Sequence, residues 1–493
     1  MIACHQSHIK FFTRTFILLV VLFLSACNNS SSSRIDRQSK TSPPNIIIIL
    51  TDDLGYGDLG CYGSKIHRTP NIDFLAQEGT LFTDFYMSSP FCSPSRAALL
   101  SGSYPQRIGM DTDNEGKCVL FPVAKKGLNP DNINLANHLK KNGYSSACVG
   151  KWHLGDQTDF MPLKQGFDYF YGVPYSNDTN PTFGDRPVFS RAFPEIPLLE
   201  NEVVLQAPIN QTRLTKNYTT KAIQFITQNK DNPFFLYLAH SMPHKPPHSS
   251  FDFKGKSKNG AYGDAVEEID WSTGEIMETL KRLKLDNTVV IFTSDNGASR
   301  LVEDGKGSNL PLRGWKGTTW EGGVRVPCIM WWSGKIPKGV QSSQLITAMD
   351  LFPTLCSIAG NPLPGDYNID GENVWQFITT NKKTNERPFF YYLREQLQAV
   401  RYGEWKLHLP LDMEYVGCWN MRETSRELSL FNLNEDIGET RNVATLHPDI
   451  VELLLKVAQE ARSELGDVRQ KGTNFRKAGY IENPVPIQKN HTD

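Results

Sequence analysis

The chain has 493 residues, 39% hydrophobic and 21% charged, with 37 Gly and 30 Pro. That is ordinary globular composition, and it excludes a disordered, collagen-like or small disulfide-stapled chain. Lys plus Arg number 52 against 53 Asp plus Glu, a net charge of −1; this speaks against a nucleic-acid binder and leaves an anionic substrate only a local basic pocket.

At the start, Lys10 and Arg14 precede an unbroken apolar run, Phe16–Leu24. The run falls far short of the roughly 20 residues a membrane-spanning helix needs and fits the core of an export signal over residues 1–26. Leu24-Ser25-Ala26-Cys27 resembles a bacterial lipobox, which implies cleavage before Cys27 and lipidation of that residue. Residues 27–44, rich in Ser and Asn, read as a flexible tether. The expectation is an exported bacterial lipoprotein, periplasmic or anchored at the outer membrane or cell surface, touching the membrane through its lipid alone. Of the nine cysteines, Cys4 leaves with the signal and Cys27 is taken by lipid. The remaining number is odd, so one cysteine is expected to have separate business; the pairing of the others is not readable.

From Asn45 onward, strands alternate with helices. Asn45–Leu50, Ser146–Val149, Phe234–Ala239 and Val289–Thr293 read as strands; Ile72–Gln77, Asn132–Lys141 and Tyr262–Lys284 read as helices. Such alternation predicts an α/β fold, a large and mostly parallel sheet covered on both faces. The residues after each strand carry the chemistry. Asp52 and Asp53 follow the first strand, Lys151 and His153 the second, His240, His244 and His248 the third, Asp295 and Asn296 the fourth. Ligands of open α/β sheets sit beyond the carboxyl ends of the strands. Each cluster alone reads as well as a turn or a surface loop. Together they place three carboxylates and an amide, hard oxygen donors suited to Ca²⁺ or Mg²⁺ rather than Zn²⁺, beside a Lys and several His.

Cys92-Ser93-Pro94-Ser95-Arg96, running on to Gly102, predicts a helix capped by Ser93, with Pro94 at its first position and Gly102 closing it. Cys92 then lies just outside a helix N-terminus, where backbone N–H groups favour an anion, and Arg96 lies one turn in. From about Glu386 the pattern changes to short strands, Phe389–Leu393, Ala399–Arg401, Trp405–Leu409 and Ser429–Leu433, followed by a helix over His447–Leu465. Tyr415 and Trp419 read as core packing sooner than as a sugar subsite.

The stretch from Cys92 to Gly102 resembles the sulfatase sequence in which a cysteine is oxidised to formylglycine (3-oxoalanine). Thr51–Asp58, Gly150–Gly155, Val290–Gly297 and Lys316–Arg325 match the same family in order, from about Asn45 to about Ala444. The chain is thereby similar to type I sulfatases of the arylsulfatase A branch. The resemblance implies an alkaline-phosphatase-like catalytic domain over 45–385 and a small C-terminal unit over 386–493, an antiparallel sheet with a packed helix. It implies one Ca²⁺ held by Asp52, Asp53, Asp295 and Asn296, with an oxygen of modified Cys92 or of sulfate completing the shell. It makes hydrated formylglycine at 92 the nucleophile and Arg96 the stabiliser of its alkoxide. Lys151, Lys316 and Ser176 (the last from Pro174-Tyr175-Ser176) hold sulfate oxygens. His153 takes a proton when sulfate is expelled, and His244, preferred to His240 and His248, lies by the leaving oxygen. The implied partners are a formylglycine-generating maturation enzyme and a sulfated small molecule or glycan. The expected reaction is hydrolysis of an aryl or, by preference, a carbohydrate sulfate ester. A phosphonate or phosphate ester hydrolase of the same superfamily is the enzymatic alternative; a glycan-binding lipoprotein with unmodified Cys92 is the non-enzymatic one.

Overall fold

The computed structural model describes residues 42–179, 193–300, 304–365, 367–382, 386–412, 418 and 427–488. The signal, Cys27 and most of the tether lie outside the described residues, as do Tyr415 and Trp419.

The core of the fold is a sheet of ten strands. In chain order these are β1 (Asn45–Thr51), β2 (Thr80–Phe82), β3 (Ser145–Lys151), β4 (Tyr169–Val173), β5 (Leu198–Glu200), β6 (Val203–Gln206), β7 (Phe234–Ala239), β8 (Thr288–Ser294), β9 (Cys328–Trp331) and β10 (Val340–Ser342). Their spatial order is β10-β2-β9-β8-β1-β7-β3-β4-β5-β6. The central run from β8 to β4 is parallel, and antiparallel pairs extend it on both sides. The sheet is therefore mixed, with a parallel centre. β1 explains its own place: its isoleucines are fully buried, Ile46 and Ile48 facing one hydrophobic core, Ile47 and Ile49 the other. A strand buried on both faces needs a continuous β-branched run, and this one has it.

Helices cover both faces. α1 (Pro70–Glu78), α4 (Leu214–Gln228) and α5 (Gly260–Leu283) contribute to the core holding Ile47; α2 (Cys92–Ser101), α3 (Leu135–Lys140) and α6 (Ala348–Ile358) contribute to the one holding Ile46. Beyond them β11 (Phe389–Leu393), β12 (Gln396–Tyr402), β13 (Trp405–His408) and β14 (Ser429–Asn432) form a separate antiparallel sheet. The helix α7 (Pro448–Leu465) buries Leu454, Ala458, Ala461 and Leu465 against it. Among the described residues no helix is long and apolar enough to cross a membrane.

Two local expectations differ from the structure. Helix α2 begins at Cys92, with Phe91 in the cap position and no side-chain cap. Ser93 is drawn instead to the neighbouring loop, where its Oγ accepts from the Leu120 N–H at 3.1 Å; a tertiary contact has replaced the local cap. Lys151 is the last residue of β3, not a loop residue after it. The expected C-cap does form: Gly102 is left-handed at φ 65°, and its N–H bonds back to the Ala98 carbonyl.

Candidate active site

Residues at the carboxyl ends of β1, β3, β7 and β8 and on the first turns of α2 come together in one buried cluster. Asp53 and His153, one on each of two strand exits, adopt left-handed backbone at φ 65° and 62°. That region is uncommon for residues other than Gly, although Asp and His enter it more readily than most. Holding it costs about 1–3 kcal/mol per residue. Gly150 serves the approach to Lys151. It has φ +119°, and a Cβ there would lie 1.8 Å from the Ala239 carbonyl oxygen of β7.

Three ion pairs and the hydrogen bonds around them define the site. Lys151 Nζ donates to Asp52 Oδ2 at 2.6 Å, and Lys316 Nζ lies 2.7 Å from Asp53 Oδ1. Arg96 donates from Nε to Asp295 Oδ2 at 2.9 Å and from Nη1 to the Lys151 carbonyl at 2.9 Å. Asn296 Nδ2 donates to Asp53 Oδ1 at 2.7 Å. Ser176 Oγ accepts from Lys151 Nζ at 3.4 Å. His244 Nε2 lies 3.7 Å from Asp53 Oδ2, and His153 Nε2 is 2.8 Å from the Leu120 carbonyl. The Cys92 thiol is buried, and its Sγ lies within 4.8 Å of carboxylate oxygens of Asp52 and Asp295. The structure thus gathers Asp52, Asp53, Cys92, Arg96, Lys151, His153, Ser176, His244, Asp295, Asn296 and Lys316 into one buried cluster.

The other two histidines lie elsewhere. His240 is buried, with its Nε2 3.4 Å from Ser272 Oγ of α5, and burial pulls its imidazole down to about 3. It is a neutral packing residue. His248 is half-buried in the following loop.

The electrostatics follow from burial and neighbours. Burial opposes ionisation of Asp52, but Lys151, His244, Arg96 and Lys316 together hold its carboxyl far below the usual range. Burial, and then the charge of Asp52, pushes the Asp295 carboxyl upward. Burial would lower the Lys316 ammonium, yet Asp53 leads a group of anions that holds it above its ordinary value. His153 is driven well below its ordinary value by burial and by the charges of Lys151 and Arg96, so its imidazole is neutral.

Which group these residues fit is shown by the buried atoms left without a hydrogen-bond partner, among them Asp52 Oδ1, Asp53 Oδ2 and Asn296 Oδ1. An unpaired buried polar atom costs about 1–3 kcal/mol. Three such oxygens in one cluster of carboxylates and an amide fit a hard divalent cation, Ca²⁺ or Mg²⁺. His153 Nδ1 is likewise without a partner.

The family model for sulfatases matches residues 44–361, and the model for the C-terminal region of aryl-sulfatases matches 384–490. The chain belongs to the sulfatase family. Among curated proteins, this sulfatase is similar to the N-acetylgalactosamine-6-sulfatase of Homo sapiens, 44% identical over 380 residues covering 74% of this chain and 71% of the relative. It is 38% identical to the steryl-sulfatase of Homo sapiens over 431 residues, covering 73% of this chain and 74% of that one. Among solved structures it resembles Ps i-CgsB in complex with k-i-k-neocarrahexaose, at TM-score 0.71 and 31% identity over 85% of this chain and 92% of that one. The sulfatase is accordingly a sulfuric ester hydrolase.

Some features of the site carry no signal in the sequence pattern. The carbonyl that fixes His153 belongs to Leu120, a backbone group without a motif. A disulfide joins Cys118 to Cys418 across 300 residues and ties that same loop to the C-terminal region; Cys61, Cys92, Cys148, Cys328 and Cys356 are free thiols. Asn177, next to Ser176, holds the far side of His244 and was signalled only by its neighbour.

Proposed function

We propose that this sulfatase removes sulfate from carbohydrate sulfate esters, with Ca²⁺ as its metal and formylglycine, made from Cys92 by a maturation enzyme, as its nucleophile. The observation that supports this most is the set of three orphaned oxygens, Asp52 Oδ1, Asp53 Oδ2 and Asn296 Oδ1, beside a buried cysteine ringed by Arg96, Lys151 and Lys316. Asp52, Asp53, Asp295 and Asn296 would hold the cation, which supplies fixed positive charge for sulfate oxygens. Formed at Cys92, hydrated formylglycine would supply one hydroxyl as the nucleophile toward sulfur and a second whose deprotonation would let sulfate depart.

The side chains divide the remaining work. Lys151 and Lys316 bring two ammonium groups to oxygens that are already anionic, and Ser176 adds a donor beside Lys151. Arg96, held by Asp295 and the Lys151 carbonyl, has its charge fixed in direction within electrostatic reach of Cys92. His153 spends its Nε2 hydrogen on the Leu120 carbonyl, which leaves Nδ1 with a free lone pair able to accept a proton. His244 stands by the leaving oxygen. A carbohydrate substrate is supported by the N-acetylgalactosamine-6-sulfatase relatives and by the oligosaccharide complex of Ps i-CgsB.

The test is release of inorganic sulfate from a panel of defined sulfated mono- and disaccharides, run beside matched phosphate esters. Preference for a sulfated sugar is expected. Preference for the phosphate esters would favour the phosphoester reading. Location belongs to the same proposal: the lipobox-like Leu24–Cys27 supports an exported, lipid-anchored enzyme. Wild type is expected to fractionate with membranes and Cys27→Ala to be released; identical soluble behaviour would remove the anchor.

A further inference from the structure

His244 is held from behind by a side-chain chain that no catalytic motif includes. Its Nδ1 lies 2.9 Å from Asn177 Oδ1 and 2.7 Å from its neighbour's carbonyl, that of Lys245. The Asn177 amide cannot be turned over to offer nitrogen instead. Its Nδ2 donates to Gln211 Oε1 at 2.9 Å and to the Pro246 carbonyl at 3.3 Å, two oxygens that a reversed amide would repel. Gln211 is oriented in turn, because its Nε2 donates to the Asn177 carbonyl at 3.0 Å. Asn177 is fully buried and Gln211 nearly so, so water does not substitute for these partners.

Both groups facing His244 Nδ1 are therefore acceptors, and an imidazole nitrogen between two acceptors must carry the hydrogen. In the neutral ring the lone pair then lies on Nε2, the nitrogen turned toward Asp53 at 3.7 Å; to serve as an acid the ring first binds a solvent proton there, and that Nε2 proton is the one passed to the leaving oxygen. From this we infer that Asn177, braced by Gln211, is a positioning residue that fixes His244 as its Nδ1–H tautomer and aims Nε2 at the leaving oxygen. The inference rests on the proposed place of His244 beside that oxygen. It goes further by assigning which nitrogen works and what sets it. Gln211 lies in a short helical turn before α4, 34 residues from Asn177, so the device links two separate loops at the rim of the site.

The experiment has a spectroscopic arm and a kinetic arm, both on the full-length, matured enzyme. In ¹⁵N-histidine-labelled protein, the His244 signals are assigned by their loss in His244→Gln. A protonated Nδ1 and a lone-pair Nε2 are expected in the wild type, with the two tautomers mixing in Asn177→Leu. An Nε2–H tautomer in the wild type overturns the inference. In the kinetic arm, kcat/KM is measured for a sulfated sugar, whose alkoxide leaves poorly, and for nitrophenyl sulfate, whose phenolate leaves well. A positioned general acid contributes about 10²–10⁴-fold, mainly for the poor leaving group. Asn177→Leu is expected to lose about tenfold or more of that factor on the sugar and distinctly less on the aryl ester. Adding it to His244→Ala should cost little more, since the two act as a unit. Gln211→Leu, one link further out, should show the same selectivity on a smaller scale, and it carries the test if Asn177→Leu does not fold. Equal losses on both substrates, in an enzyme where His244→Ala is selective, overturn the positioning role. If His244→Ala is itself unselective, the place of His244 at the leaving oxygen fails, and the tautomer assignment is judged on the ¹⁵N spectrum alone.

Discussion

Glu321 sits in the seam between the main sheet and the C-terminal sheet, as deeply buried as Asp52 at the strand exits, yet the two carboxylates are finished in opposite ways. Glu321 takes hydrogen bonds from Tyr391 at 2.7 Å, from Lys406 at 2.9 Å and from Tyr86. Lys406 also lies 2.8 Å from Glu439, which accepts from the Glu321 N–H at 2.8 Å and faces His408 Nε2 at 2.7 Å. Arg401 bonds Asp84 at 2.8 Å and reaches Tyr86. No buried side-chain nitrogen or oxygen of these seam residues lacks a hydrogen-bond partner, whereas Asp52, Asp53, Asn296 and His153 each leave one without. A buried charge network with every atom paired is a structural joint. One with oxygens and nitrogens left over is shaped for something that is not protein. Both clusters come partly from the same motif: Lys316 serves the site, while Glu321 and Arg325, a few residues on, serve the seam.

The comparison breaks if substitutions in the two clusters behave alike. The largest effect is expected from Asp295→Ala, which removes a candidate ligand and the partner of Arg96. Metal content and activity should fall together, activity on the order of 10³-fold for any sulfate ester, and chelation should lower the thermal midpoint of the wild type far more than that of the variant. In the seam, Lys406→Met should cost about 3–5 kcal/mol of stability, because Glu321 and Glu439 are left buried together. The folded protein should keep its metal content. Denaturant unfolding beside metal analysis checks both variants; a metal-depleted but fully stable Lys406→Met would erase the distinction.

A third buried carboxylate sharpens the comparison at smaller scale. Asp270 on α5 accepts from the Asn71 and Ile72 N–H groups at 3.0 and 2.8 Å, at the first turn of α1. Burial still holds it up at about 6, above its ordinary 3.8. A carboxyl raised in the folded state contributes stability that is full below the ordinary value and is lost as pH rises through the folded one. Wild type should therefore lose stability between about pH 4 and about pH 6 relative to Asp270→Asn; parallel curves would assign Asp270 no such part.

The sequence made one half of this picture legible and hid the other. The isoleucines of β1 announce a strand buried on both faces, and the residues just past β1, β7 and β8 are short polar clusters that a parallel sheet must bring to one edge. Asp52, Asp53, Lys151, His153, Asp295 and Asn296 were visible because they sit at or within a few residues of strand ends, whereas the roles of Cys92, Arg96 and Lys316 came from the family resemblance. Ser93 misled because Ser-Pro is a local capping signal, overruled here by the Leu120 loop. The seam stayed hidden because Lys406, His408 and Glu439 are ordinary residues of short strands and loops whose meaning comes only from the meeting of two sheets. Asn177 and Gln211 were hidden in the same way, since their partnership is made by two loops and not by spacing.

The central claim is that the open cluster works through a modified Cys92, and it is tested by measuring, in one set of preparations, the fraction of the Cys92 peptide present as formylglycine by mass spectrometry and the rate of sulfate release. Coexpression with a maturation enzyme at several levels varies that fraction. The rate should rise in proportion to it and extrapolate to zero at zero modification. Full turnover by protein whose Cys92 is entirely a thiol would contradict the account.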